Sequence, residues 1–160
     1  MEKSKIAVTN SPEETVALGA RVASGLSAGD LVALKGGLGA GKTMFVKGVA
    51  KGLGIKEYGY VNSPSFVILK EYRGEKDLYH FDVYRLDEKS FRETLDYEKY
   101  FYGGGVTVVE WADKISGELP DEYLEISIAY GEGDSRVFTL RPSGRRFEDL
   151  ISRIFEKEEA

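Results

Sequence analysis

The chain has no cysteine, so disulfides and thiolate metal sites are excluded, and its single histidine, His80, argues against a zinc site or a hydrolase triad. Thiol redox chemistry is excluded with them. Glutamine is also missing, and asparagine occurs only at Asn10 and Asn62; with 31% charged residues, this composition leans toward a heat-adapted source. Nowhere do about 18 apolar residues run together, and no long apolar stretch follows the lysines of the N-terminal MEKSKIAVTN. Neither a membrane span nor a signal peptide is therefore expected, and a cytoplasmic location is. The charge has no strong sign: 22 basic residues stand against 27 acidic ones, intermixed, for a net −5, which argues against a broad nucleic-acid surface. A local basic spot from Arg141 to Arg146 is the one exception.

What is present suits one globular unit. With 160 residues, 42% of them apolar and 12% aromatic, the chain can bury a real core as a single domain over residues 1–160. Glycine is plentiful, and Gly36 to Thr43, reading GGLGAGKT, completes the pattern G-x-x-x-x-G-K-S/T. Such a loop turns backbone N–H groups toward a β-phosphate, sets a lysine on the β and γ oxygens, and offers a hydroxyl to Mg²⁺. The candidate nucleotide contacts are Gly37, Leu38, Gly39, Ala40, Gly41, Lys42, Thr43 and Met44. The setting agrees. Leu31 to Leu34 reads as a buried strand before the loop, and Val46, Val49, Ala50 and Leu53 keep helical spacing after it.

Lys5 to Val8 reads as a short strand, and Ser11-Pro12-Glu13-Glu14 as a helix start with Ser at the N-cap, Pro at N1 and Glu at N3 of a capping box. Leu18, Val22 and Leu26 form its buried stripe, and Gly29 and Gly54 mark element ends. Phe66 to Tyr72 and Leu78 to Tyr84 predict a β-hairpin across a polar turn. Asp87 to Tyr102 predicts a helix with Phe91, Leu95 and Tyr100 inward, stopped by Gly103-Gly104-Gly105 before a strand at Val106 to Val109. A second hairpin follows, with Leu124, Ile126 and Ile128 alternating and Arg136 to Leu140 returning; Phe147, Leu150, Ile151 and Ile154 then close the chain as an amphipathic helix. About seven strands result, with antiparallel hairpins inside a parallel frame. The fold class is α/β: a P-loop NTPase-like three-layer sandwich with a mixed, mainly parallel sheet and antiparallel hairpins.

Hydrolysis or transfer needs a carboxylate near the metal and a group to orient the attacking oxygen. Two apolar strands end in acids, Asp82 and Glu110, at the sheet edge where α/β ligands sit. Either could instead cap a helix or pair with a base; together they could divide the work between the Mg²⁺ shell and a water. The segment Ser63-Pro64-Ser65-Phe66 could carry a hydroxyl to the γ-phosphate, or be an ordinary proline turn. Trp111 is either a lid beside Glu110 or a core side chain, with core the default, and His80 reads as a packed strand residue rather than a general base.

GGLGAGKT, VNSPSFVILKEY, YHFDVYRL and VTVVEWADK, in this order and spacing from Ser11 to Lys114, closely resemble the TsaE (YjeE) family. The resemblance implies a small bacterial P-loop ATPase required for threonylcarbamoyl modification of adenosine 37 in tRNAs that read ANN codons. It implies ATP and Mg²⁺ as cofactors and the transferase subunits TsaB and TsaD as partners, whose turnover ATP hydrolysis drives. No direct tRNA contact and no membrane are expected. Carried over by motif, Lys42 contacts the β and γ phosphates, Thr43 ligates Mg²⁺, and Asp82 and Glu110 organise metal and water beside Trp111. Ser65 stands where the family usually has Thr, and Ser11 and Arg136 would edge the base and nucleotide pocket. Two departures occur: Gly37 replaces the usual Asp, and Met44 the usual Thr.

Turnover by the isolated chain is expected to be slow, because these motifs supply no arginine finger, a charge worth about 10³ to 10⁵ in rate. Two other readings stay open. A small-molecule kinase could clamp its acceptor with Arg73, Arg85 and Arg92, and a nucleotide-dependent binding module would need no hydrolysis. The absence of an N-K-x-D signature favours ATP over GTP.

Overall fold

Strand burial decides the layout. In the computed structural model, which describes residues 4–36, 41–62, 64, 68–94 and 96–156, the strands are β1 (Lys5–Thr9), β2 (Leu31–Lys35), β3 (Leu69–Tyr72), β4 (Leu78–Asp82), β5 (Val106–Glu110), β6 (Tyr123–Tyr130) and β7 (Arg136–Ser143). The helices are α1 (Pro12–Ala23), α2 (Lys42–Gly52), α3 (Glu88–Thr94), α4 (Tyr97–Phe101) and α5 (Arg145–Glu156), with 3₁₀ turns at Tyr58–Tyr60 and Ala112–Glu118. The strands form one sheet in the order β1-β7-β6-β2-β5-β4-β3. β6, β2, β5 and β4 run parallel, and the outer pairings, β1 with β7, β7 with β6, and β4 with β3, are antiparallel. β5 is buried at every position and β2 at all but Lys35, so both read as unbroken apolar runs, as strands covered on two faces do. β6 alternates buried Leu124, Ile126 and Ile128 with more open neighbours, because a helix layer covers only one of its faces.

Helices occupy both faces. α1, α2 and α5 bury Leu18, Val22, Phe45, Val49, Leu150 and Ile154 against Val32, Leu34, Val108, Ile126 and Leu140. On the other face Phe91, Phe101, Ala112 and Ile115 pack on Leu31, Ala33, Phe81 and Val109. This is the expected three-layer arrangement. Among the described residues, no helix is long and apolar enough to cross a membrane.

Ser11 caps α1 by accepting the Glu14 N–H at 3.1 Å, while the Glu14 carboxylate takes the N–H of Asn10 at 3.0 Å, one residue before the expected capping-box partner. α1 and α2 approach very closely: a methyl group at Gly48 would meet the Val16 carbonyl, and one at Gly19 the Phe45 carbonyl. That contact fixes the position of the helix that follows the glycine loop.

Among the boundaries that differ from the sequence expectation, three bear on the site and its flank, while β1, β5 and β7 simply run on to Thr9, Glu110 and Ser143. The helix expected over Asp87 to Tyr102 is two short ones, because Asp96 leaves helical geometry at φ −81, ψ 66. The break lets Phe91 and Phe101 reach Phe81 with centroids at 6.2 and 5.5 Å, so Phe101 is buried and Tyr100 only half-buried; Leu95 lies outside the described residues. β4 ends at Asp82 rather than Tyr84, since Asp82 Oδ1 accepts the Tyr84 N–H at 2.9 Å and turns the chain. The hairpin's first strand begins at Leu69; Phe66 lies outside the described residues.

Candidate functional site

β2 ends at Lys35, and α2 starts at Lys42, so the glycine loop joins a central strand to a helix on the face where α1 and α2 pack. Of the loop's expected contacts, Gly37, Leu38, Gly39 and Ala40 lie outside the described residues, as does Ser65. Gly41 holds φ 98, a conformation costly for any residue with a β-carbon. It stands at the N-cap with no side-chain cap on the helix, so the first-turn N–H groups are not claimed by a capping side chain. Thr43 is the second residue of α2 and is half-buried, as is Met44.

Lys42 is 6% exposed. Its Nζ donates to the Gly36 carbonyl at 2.9 Å and lies 3.5 Å from the centroid of the Trp111 ring. Burial pushes its pKa below the ordinary value, while Glu110, Asp82 and Asp113 pull the other way. Those acids come from the ends of neighbouring strands. Asp82 and Glu110 are direct partners in the β4–β5 register, and both are buried, at 4% and 2% exposure. Glu110 is also in register with Leu34, whose side chain belongs to the core beneath α2, so alternation puts both carboxylates on the α2 face.

The segment before β3 meets this group through the backbone. Ile68, in the left-handed region at φ 72, donates its N–H to Pro64 at 2.6 Å and accepts the Asp82 N–H at 2.8 Å. Trp111 follows Glu110 with φ 64, a strained conformation for a bulky residue, and its N–H is held by the Leu34 carbonyl at 3.1 Å. Its ring is half-buried, packs against the Phe81 and Val109 cluster on the other face of the sheet, lies 4.8 Å from Tyr84 and faces the lysine. The default of a core side chain is thus only half the account; the tryptophan also lines the site.

His80 is a packed strand residue, as expected, but it has a partner that a linear reading missed. Its Nε2 lies 2.5 Å from Glu110 Oε2, with both side chains buried. The only signal in the sequence is that His80 and Asp82 alternate onto one face; the link to Glu110 requires the register of β4 on β5. Asp113, which acts on Lys42, was also missed.

Beside α2 lies a cavity of about 380 Å³ lined by Ser11, Thr15, Gly41, Met44, Asp134 and Arg136. Ser11, Gly41, Met44 and Arg136 are thereby brought together, with the Arg136 guanidinium 4.5 Å from the Tyr130 ring centroid. Ser11 spends its hydroxyl oxygen on the α1 cap. The basic spot is largely offset by acids: Arg141 lies 3.7 Å from Glu125, and Arg146 holds Asp30 with two hydrogen bonds, its Nε at 2.6 Å.

The arrangement can do specific chemistry. The two buried carboxylates and the Thr43 hydroxyl at the start of α2 are hard oxygen donors of the kind Mg²⁺ takes. Among the described residues no three His, Asp or Glu side chains form a metal cage by themselves.

Comparison with known proteins finds relatives over most of the chain. The family model for the threonylcarbamoyl adenosine biosynthesis protein TsaE matches residues 9–138. A Bacillus subtilis protein named tRNA threonylcarbamoyladenosine biosynthesis protein TsaE is 46% identical over 91% of this chain and 90% of its own. A protein of the same name from Treponema pallidum is 40% identical over 83% and 97% of the two chains. The crystal structure of Bacillus subtilis YdiB superposes with a TM-score of 0.83 at 40% identity, covering 99% of this chain and 98% of that one.

Proposed function

The chain belongs to the TsaE family of tRNA threonylcarbamoyladenosine biosynthesis proteins, and we propose that in this pathway it is a Mg²⁺-dependent ATPase, cytoplasmic, whose ATP binding and hydrolysis drive turnover of a transferase complex of TsaB and TsaD. The observation that carries the reading is the convergence of Lys42, at the start of α2, with Asp82 and Glu110 at the tips of adjacent parallel strands. A glycine loop alone would bind. A buried lysine facing two buried acids is what phosphoryl transfer to water also needs.

In this reading the backbone N–H groups of the glycine loop, whose residues Gly37 to Ala40 lie outside the described residues, would bind the phosphates. Lys42 gives up the Gly36 carbonyl for the β and γ oxygens, where its desolvated charge acts at full strength. Thr43, with Asp82 or Glu110, would hold Mg²⁺, which supplies charge neutralisation on the β and γ oxygens. The other carboxylate orients a water in line with the γ-phosphate and takes its proton on a carboxylate oxygen. The Trp111 ring excludes bulk water over the lysine. Ser65 contributes a hydroxyl from the segment before β3, and the cavity between Ser11, Met44 and Arg136 takes the base and sugar.

Water is the favoured acceptor. Of the arginines a kinase would use, Arg92 is held by Glu118 at 2.8 Å on α3, which packs on the opposite face of the sheet. The test is phosphate release from Mg·ATP by the chain alone and with TsaB and TsaD. Slow release without any acceptor, accelerated by the two subunits, is expected. Failure to associate with them in any nucleotide state would refute the partner assignment.

A further inference from the structure

His80 stands in the middle of β4, fully buried, directly across from Val108 and on the face that packs beneath α2. Leu78 and Val108, its neighbours on that face, belong to the apolar core. An aliphatic side chain would suit the place better. The imidazole instead reaches diagonally to the strand tip, where Nε2 lies 2.5 Å from Glu110 Oε2, while among the described residues Nδ1 is buried without a hydrogen-bond partner. An ionised carboxylate only accepts, so the proton belongs on Nε2, and the orphaned Nδ1 is a bare lone pair, cheaper to bury than an N–H. One nitrogen is left unpaired so that the other can hold Glu110.

The site gives that hold a purpose. Glu110 and Lys42 attract each other across a poorly solvated space. A carboxylate free to rotate would swing onto the ammonium, removing the lysine from phosphate and the acid from water. With Oε2 tied back to the strand, Oε1 remains for a water. We propose that His80 is a positioning residue that fixes the Glu110 side chain through the Nε2–Oε2 hydrogen bond, so that Glu110 orients the attacking water instead of collapsing onto Lys42. The inference rests on the ATPase reading of the site.

The experiment compares the parent, His80→Gln, His80→Asn, Glu110→Gln and the double variant His80→Asn with Glu110→Gln, each in the presence of TsaB and TsaD. Gln places an amide nitrogen near the Nε2 position; Asn is too short to reach Glu110. Calorimetry gives the Mg·ATP Kd, single-turnover phosphate release gives the rate, and thermal melting monitors folding. His80→Asn should bind Mg·ATP within about fivefold of the parent yet release phosphate at least about tenfold more slowly, while His80→Gln returns to within about threefold of the parental rate. In the Glu110→Gln background, His80→Asn should produce no further loss.

A parental rate in a folded His80→Asn, equal rates in His80→Asn and His80→Gln, or an undiminished His80 effect without Glu110 would each overturn the inference. If His80→Asn does not fold, His80→Gln decides: a rate within about threefold of the parent, with Glu110→Gln slowed at least about tenfold to a still measurable rate, supports it, and a tenfold loss in folded His80→Gln overturns it. A parent that never releases phosphate overturns the ATPase reading itself and the inference with it, a result distinct from all of these.

Discussion

Lys42 is where charge, burial and chemistry meet. The ammonium loses hydration on folding, and the acids around it restore only part of that loss, so its pKa in the folded chain lies below the ordinary 10.5. Between the folded value and 10.5 the unfolded chain binds more protons than the folded one, so this group's cost to stability is full below the window and relieved as pH rises through it. Urea midpoints measured up that alkaline range should therefore show a stabilising slope in the parent that Lys42→Met lacks. An identical slope in both would mean the lysine is solvated. The two acids were legible in the sequence because each closes an apolar strand, and a charge there needs a reason. The His80 contact and the left-handed backbone of Trp111 were not, since both depend on how β4, β5 and β2 sit side by side.

At the scale of elements, the position of α2 is set by small residues rather than by its apolar stripe alone. Gly48 and Gly19 let the α1 and α2 backbones touch, and a β-carbon at Gly48 has no room beside the Val16 carbonyl. Gly48→Ala should cost about 3 kcal/mol in denaturant unfolding, by forced overpacking against backbone. Because the same helix carries Lys42 and Thr43 at its start, Mg·ATP affinity should fall as well. A fully stable variant with parental affinity would show that the helices can part freely. The strand before the glycine loop and the helix after it were legible from their apolar runs and periodicity. The split of the expected helix into α3 and α4 was not, because packing of Phe91 and Phe101 on Phe81 outweighs the local pattern.

Across the whole molecule, the site lies at the C-terminal ends of the parallel strands, while a separate clamp holds the start of β2. There Asp30, 6% exposed, accepts two hydrogen bonds from Arg146 at the beginning of α5 and a third from the Ser27 N–H at 2.7 Å. Arg146→Ala should cost about 2 kcal/mol of stability, mostly by leaving a buried carboxylate underpaired, without changing nucleotide affinity. A parallel loss of affinity would mean that the two ends of the sheet are coupled. Composition and strand count made the layered α/β class readable. The strand order was not, because seating β1 against β7 and β2 between β6 and β5 depends on pairings between segments far apart in sequence. The claim under all of this is that the loop, Lys42 and the two strand-tip acids form one Mg·ATP site. Titration calorimetry with Mg·ATP tests it most directly: one equivalent should bind the parent chain, and none should bind Lys42→Ala. Absence of binding to the parent, or undiminished binding to Lys42→Ala, would contradict the account.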